Sequence, residues 1–265
     1  MSGITKQSNP ATGESLASVN NTPVTNMPKI IAQARTAQAI WAAKTFKERA
    51  QHIAKIKAFL VKQSDSGADI ISKSNGKTRQ DALATEIVPC IMACDWYASN
   101  TGKVLKEQSL PCGNILFANK TNRLQYSPLG VVGIISSWNY PFSIPFGEVI
   151  MGLMAGNAII LKVATPTTLV GNFIEDCIKA GDLPEGLFAH VVVSGAEVSK
   201  AMLANGVNKI FFTGSVGVGK QLMAASAPTL TPLSLELGGK DPMIVCKDAD
   251  LERAVNCALW GGFQN

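Results

Sequence analysis

Charged side chains are scarce in this sequence. Asp, Glu, Lys and Arg make up 16% of its 265 residues, against roughly 25% in an ordinary domain. With 46% hydrophobic residues, that scarcity excludes an intrinsically disordered chain, which needs low hydrophobicity and high net charge. Histidine is nearly absent, with only His52 and His190. The six cysteines, Cys90, Cys94, Cys112, Cys177, Cys246 and Cys257, include no pair at CxxC spacing, so the clustered ligands of a zinc site are missing and no metal is expected. The first seven residues lack the apolar core of a signal peptide. Unpaired cysteines without such a leader point to the reducing cytoplasm. No long apolar run is uninterrupted either. Residues 129–163 are broken by Asn139, Pro141, Pro145, Glu148, Gly152 and Gly156, whereas a membrane helix needs about 20 consecutive apolar residues. The net charge of +5 is spread in small groups such as Lys44, Lys47 and Arg49, which reads as a solvated helix face rather than a nucleic-acid surface.

What is present is periodic. Residues 9–20 read as a turn and a short strand. Pro28 fits the first turn of a helix reaching about residue 44, with Ile30, Ile31, Ala34 and Ala37 at helical spacing. Residues 50–63 repeat the pattern with Ile53, Ile56, Phe59 and Leu60, and two more helices are predicted near 67–74 and 81–99. Residues 114–118 and 123–126, separated by a polar stretch, predict a β-hairpin. Beyond Pro128 the short apolar runs 131–135, 158–162, 190–193, 209–212 and 243–245 alternate with helical segments. That alternation predicts an α/β fold, a doubly wound (Rossmann-like) parallel sheet preceded by N-terminal helices. Such sheets bind ligands at the carboxyl ends of their strands.

The sharpest local feature is Phe212-Thr213-Gly214-Ser215-Val216-Gly217-Val218-Gly219-Lys220, a strand running through a glycine-rich turn into a helix. Backbone N–H groups at such a helix start can cradle a phosphate. The segment opens like a Walker A loop, but Gln221 stands where Ser or Thr should hold Mg²⁺, and G-x-G-x-x-G also fails. A nucleotide cofactor, an NTPase and a ligand-free tight turn all remain open at this point.

Two further segments narrow the choice. In Ser136-Ser137-Trp138-Asn139-Tyr140-Pro141, at the end of an apolar strand, the Asn139 amide can donate to a developing oxyanion, although from this segment alone an Asn that merely stabilises the turn before an aromatic–proline bend is the stronger reading. In Leu235-Glu236-Leu237-Gly238-Gly239-Lys240-Asp241, Glu236 lies between two leucines and can be desolvated enough to act as a general base; the alternative is a solvated or ion-paired surface residue. Together these segments resemble the aldehyde dehydrogenase superfamily. Residues 235–241 match its glutamate signature throughout. Residues 137–141 resemble its P-W-N-[FY]-P segment with Ser137 for the first proline, Phe212–Ser215 with Gly219 resembles its phosphate loop, and Asn9-Pro10-Ala11-Thr12-Gly13-Glu14 resembles its opening.

The resemblance implies oxidation of a small-molecule aldehyde with NAD⁺ or NADP⁺ through a cysteine thiohemiacetal and thioester. It implies that Asn139 holds the oxyanion and Glu236 activates the hydrolytic water or the thiol. It implies a cofactor site of Ile135, Trp138, Lys162, Thr165, Gly195, Gly214, Ser215, Val218, Gly219 and Leu237, with Lys162 on the adenosine ribose. Many NAD-preferring relatives carry Glu three residues after that lysine; here it is Thr165, so NADP use is expected, alone or with dual specificity for NAD. The domains implied are a cofactor-binding domain over 1–113 and 129–249, an oligomerisation hairpin over 114–128 that makes the complete enzyme a homo-oligomer, and the start of a catalytic domain over 250–265. The family nucleophile lies in F-x-N-x-G-Q-x-C, of which Phe263-Gln264-Asn265 matches only F-x-N. The nucleophile is thus expected beyond Asn265, and residues 1–265 alone are expected to be inactive and prone to aggregation. Cys257 is expected as a packed thiol. The rival readings are a non-catalytic module that binds nucleotide or subunits, and a P-loop-like NTPase.

Overall fold

The computed structural model describes residues 3–265. Strands β1 (Ile4–Ser8) and β2 (Ser15–Asn20) pair antiparallel around the 9–14 turn. The helices Met27–Ala42, Phe46–Lys62 and Ser64–Asn75 follow. Their apolar faces are those the 3.6-residue spacing singles out: Ile31, Ala34 and Ala37 in the first, Ile53, Ile56 and Leu60 in the second, all buried. Thr45 and Glu48 form a reciprocal capping box at the start of the second. The Arg49 guanidinium donates to Ala42 O, Lys44 O and, at 2.7 Å, Met154 O, satisfying the orphan carbonyls of two helix ends at once. The Trp41 indole donates to Leu153 O at 2.7 Å, tying the first helix to the helix under the sheet.

One long helical segment runs from Arg79 to Val104, but it is not uniform. Residues Ala82–Ile87 widen into a π-helical turn before the α-helix Val88–Val104. Pro89 accounts for the widening, since it has no N–H to donate and its ring crowds the carbonyl four residues back.

The hairpin differs from expectation. Strand β3 is Gln108–Leu110 and β4 is Asn122–Leu124, paired antiparallel, while Ile115–Phe117 forms a single 3-10 turn capped by Asn114. Ile115, Leu116 and Phe117 are consecutive apolar residues, not alternating ones, and the Asn114 side chain offers their backbone a local turn instead of a ladder. They are 88, 80 and 57% exposed.

The main sheet has five parallel strands in the order β7-β6-β5-β8-β9. These are β5 (Val131–Ile135), β6 (Ala158–Lys162), β7 (Phe188–His190), β8 (Lys209–Gly214) and β9 (Leu233–Leu237). β5 and β6 are buried at every position, as covered parallel strands should be. The helices Ser143–Met154, Thr168–Lys179, Gly195–Ala204 and Val216–Ser226 connect them. Two sequence expectations are corrected. β7 begins earlier and ends at His190, and Met243–Val245 is not a strand; the fifth strand is Leu233–Leu237. β9 was hidden because Ser234 and Glu236 interrupt its apolar run, and it is an edge strand that needs only one covered face. The helix Leu251–Phe263 buries no residue. No helix among the described residues is long and apolar enough to cross a membrane.

Candidate functional site

From β5 the chain winds outward through β6 to β7, then returns to lay β8 on the other side of β5. The crevice outside the carboxyl ends of β5 and β8 is therefore the switch point where open α/β sheets take ligands. Ile135, buried, ends β5 and leads into Ser136–Asn139; Gly214 ends β8 and leads into the glycine loop.

The loop is built by its own sequence. Ser215 is extended and caps the helix Val216–Ser226, its Oγ accepting from Val218 N at 3.4 Å. The remaining first-turn N–H groups have no intrahelical acceptor and face outward with the positive end of the helix dipole. Gly214 has no room for a side chain, since a Cβ would stand 2.6 Å from Phe212 Cζ. Gly219 is buried against β9, where a Cβ would lie 2.7 Å from Leu237 Cδ2. Val216, Val218 and Leu237 remain 43, 48 and 37% exposed around the helix start, and Trp138, 61% exposed, lines a hollow with Asn75, Lys77 and Asn139.

Lys162 closes β6 and is 8% exposed. Burial alone pulls its ammonium below the ordinary lysine range, and no carboxylate offsets it. Its Nζ lies 4.0 Å from where a Cβ on Gly195 would sit, so it faces the start of the helix that Ser194 caps. A buried cation without an anion is costly. Thr165 is exposed at the head of a 3-10 turn and lines a cavity of about 180 Å³ with Thr168, His190 and Ser194. His190 is pushed down to about 4 by burial and by Lys162, so it is a neutral ring.

Asn139 is held by several bonds. Ser137 Oγ donates to its Oδ1 at 2.7 Å. Its backbone oxygen accepts from Lys77 Nζ at 2.9 Å, and Trp138 O accepts from Asn75 Nδ2 at 2.8 Å. Lys77 also pairs with Glu86 at 2.6 Å, both side chains at most 1% exposed.

Glu236 ends the site on β9, in register with Thr213. It is exposed, not desolvated as the flanking leucines suggested, because an edge strand leaves its last residues open to water. Residues in register share a face, so Thr213, whose buried hydroxyl has no partner among the described residues, lies beside it. Glu148 enters from the helix Ser143–Met154. It is raised to about 7, first by burial and then by Glu236, and lines a largely apolar cavity of about 400 Å³ with Tyr97, Met151 and Phe211.

No cysteine joins this group. Cys90, Cys94 and Cys177 are buried, and burial raises each thiol, Cys94 to about 12. Cys112 Sγ lies 2.9 Å from Lys120 O. Cys246 and Cys257 are exposed; Cys257 is no packed thiol, because its helix lays no face on the core. Sequence reasoning overlooked Lys77, Glu86 and Glu148. For Glu86 and Glu148 the only signal is a charged residue inside an apolar helical run, which for Glu148 reads merely as an interruption; Lys77 lies in the loop after Asn75, where the sequence marks nothing.

Residues 2–265 match the model of the aldehyde dehydrogenase family. The chain is 35% identical over 235 residues to a 4,4'-diapolycopene aldehyde oxidase from Methylomonas sp, covering 89% of this chain and 44% of that protein. It superposes on an NADP-dependent enzyme of E. coli with a TM-score of 0.93 and 31% identity, covering 99% of this chain and 54% of that one. An aldehyde dehydrogenase of Bacillus cereus solved with NAD⁺ gives 0.92 and 31%, covering 99% and 53%. The chain thus spans about half the length of the relatives it matches.

Proposed function

This chain belongs to the aldehyde dehydrogenase family, and from that premise we propose that residues 1–265 form the cofactor-binding side of an NAD(P)⁺-dependent oxidation of an aldehyde to a carboxylic acid. The observation that carries the reading is the buried, unpaired Lys162 facing Gly195 at the edge of the switch-point crevice. A ribose hydroxyl or 2′-phosphate supplies what that ammonium lacks.

The residues fit a dinucleotide. Lys162, Thr165 and Gly195 would hold the adenosine end, the helix start at Gly214, Ser215, Val218 and Gly219 the pyrophosphate, and Trp138 and Leu237 the apolar rim, with Ile135 closing the crevice floor. Thr165 in place of a carboxylate favours NADP⁺, since no negative charge stands against a 2′-phosphate. Once bound, the nicotinamide supplies a hydride acceptor. Asn139 donates from its carboxamide to the oxyanion, and Glu236 takes a proton from water or a thiol. The nucleophilic thiol is none of the six cysteines, so residues 1–265 turn over no aldehyde alone. The exposed Ile115, Leu116 and Phe117 at the tip of the β3–β4 arm suit it to oligomer contacts. We place the catalytic domain's start at about residue 250, with the rest of the chain outside the arm as the cofactor domain.

The test is a titration of residues 1–265 with NADP⁺ and NAD⁺, followed by tryptophan fluorescence. Saturable binding, tighter for NADP⁺ and weakened by Lys162→Met, is expected. No binding of either nucleotide would sink the reading. In a complete enzyme, kcat/KM for the two cofactors should favour NADP⁺, and a strong NAD⁺ preference overturns that part.

A further inference from the structure

We propose that Asn139 is presented by a two-part clamp in which the Ser137 hydroxyl orients the carboxamide and the buried Lys77–Glu86 ion pair fixes the backbone. The inference rests on the reading that Asn139 faces the oxyanion. Ser137 and Lys77 are positioning residues, because they act through Asn139.

The first part concerns the side chain. A carboxamide has two faces of nearly equal shape, one an acceptor and one a donor. An oxyanion site needs the donor outward. Ser137 Oγ donates to Asn139 Oδ1 at 2.7 Å, which occupies the acceptor end. Nδ2 then remains free to donate, and it has no hydrogen-bond partner among the described residues. Position 137 is also where this chain departs from the family segment, which carries proline there. A proline has no hydroxyl, so the contact belongs to the serine.

The second part concerns the backbone. Glu86 lies in the π-helical turn Ala82–Ile87 that Pro89 widens. Its Oε2 accepts from Phe142 N at 2.7 Å and Ser143 N at 3.1 Å, just beyond Asn139. Its Oε1 pairs with Lys77 Nζ at 2.6 Å, and that ammonium donates to Asn139 O at 2.9 Å and lies 4.4 Å from the centre of the Tyr140 ring. One ion pair therefore grips residues 139, 140, 142 and 143. Lys77 stands in the turn that follows Asn75 and Glu86 in the helical segment beyond it, and the Asn75 amide itself donates to Trp138 O. A fully buried ion pair is weak evidence for net stability, and here Glu86 Oε1 meets Lys77 as an ion-pair contact without a hydrogen bond of its own among the described residues, so what the pair supplies is position: Oε2 and the Lys77 ammonium both bond the backbone at 139–143. Packing alone would not need a lysine whose ammonium reaches the backbone oxygen of Asn139.

The test uses residues 1–265 with ¹⁵N-labelled asparagine. The Asn139 side-chain amide signals are assigned by their loss in Asn139→Asp. Ser137→Ala is expected to shift those signals, because the carboxamide oxygen loses the hydroxyl that orients it. Ser137→Thr should restore them, and the melting temperature and NADP⁺ affinity should stay near the parent values. Asn139 signals unchanged in Ser137→Ala overturn the first part. For the second, Lys77→Met strands a buried carboxylate and is paired with Lys77→Met/Glu86→Gln, which removes both charges. In the double variant the backbone amides of residues 138–140, 142 and 143 should exchange about tenfold faster while the core helices keep their protection. Parent-like exchange at 138–143 overturns it, as does a uniform loss across the core. Parent protein that binds neither nucleotide would count against the functional reading while leaving the chemical-shift and exchange results standing.

Discussion

Gly219 and Leu237 touch across the site: the helix that starts the glycine loop lies so close to β9 that a Cβ on Gly219 would stand 2.7 Å from Leu237 Cδ2. The contact couples the phosphate-facing loop to the strand that carries Glu236. Its consequence is separable from stability. In Gly219→Ala the crowded atom is the end of a flexible, half-exposed leucine side chain, and alanine favours the helix by up to about 1 kcal/mol. The melting temperature should hold or rise, while nucleotide affinity falls because Leu237 is pushed into the crevice. Calorimetric titration beside a thermal melt measures both.

Lys162→Met should stabilise the free protein, since it deletes a buried cation with no partner, yet weaken nucleotide binding by about tenfold or more, as loss of a charged hydrogen bond does. The sign of the pH dependence follows from burial. The folded lysine gives up its proton at a lower pH than the unfolded one, whose value is 10.5. The cost of burying the charge is complete below the folded value and gone above the unfolded one. Denaturant melts should show the parent gaining on Lys162→Met as pH rises through the alkaline range. Parallel pH profiles would refute the assignment.

Glu148 runs the other way. Its folded value of about 7 lies above the ordinary 4.5, so below pH 4.5 both states are protonated and nothing is lost. As pH rises from there to about 7 the unfolded chain releases a proton the folded chain keeps, and stability falls. Glu148→Gln should match the parent near pH 4 and exceed it at pH 8 by up to about 3 kcal/mol. Glu236→Gln should lower the Glu148 midpoint, read by ¹³C shifts of labelled glutamate.

Thr165→Glu places a carboxylate beside the proposed 2′-phosphate position. NADP⁺ affinity should drop by about tenfold or more, with NAD⁺ affinity kept or improved. Equal losses for both nucleotides would show that residue 165 does not contact the ribose end.

Local pattern carried much of this protein. The amphipathic spacing of Ile31, Ala34 and Ala37 and of Ile53, Ile56 and Leu60 determined which helix faces are buried. The apolar runs at 131–135 and 158–161 determined the central strands. The glycines, Ser215 and the signature around Glu236 marked the loop, because turn and cap chemistry depends on neighbours in sequence. What the tertiary structure alone decided depends on partners far apart in the chain. Gln108–Leu110 replaced Asn114–Ala118 as the first strand of the arm, because register is set between strands rather than within one. Glu236 came out exposed, because desolvation belongs to the sheet edge and not to its two leucines. Glu148 came within electrostatic reach of Glu236 from a separate, largely apolar cavity, and Glu86 met Lys77 and the backbone after Asn139. Their composition only said that charge interrupted apolar helices. Burial and electrostatics act through space, so no spacing in the sequence could state which charges would meet.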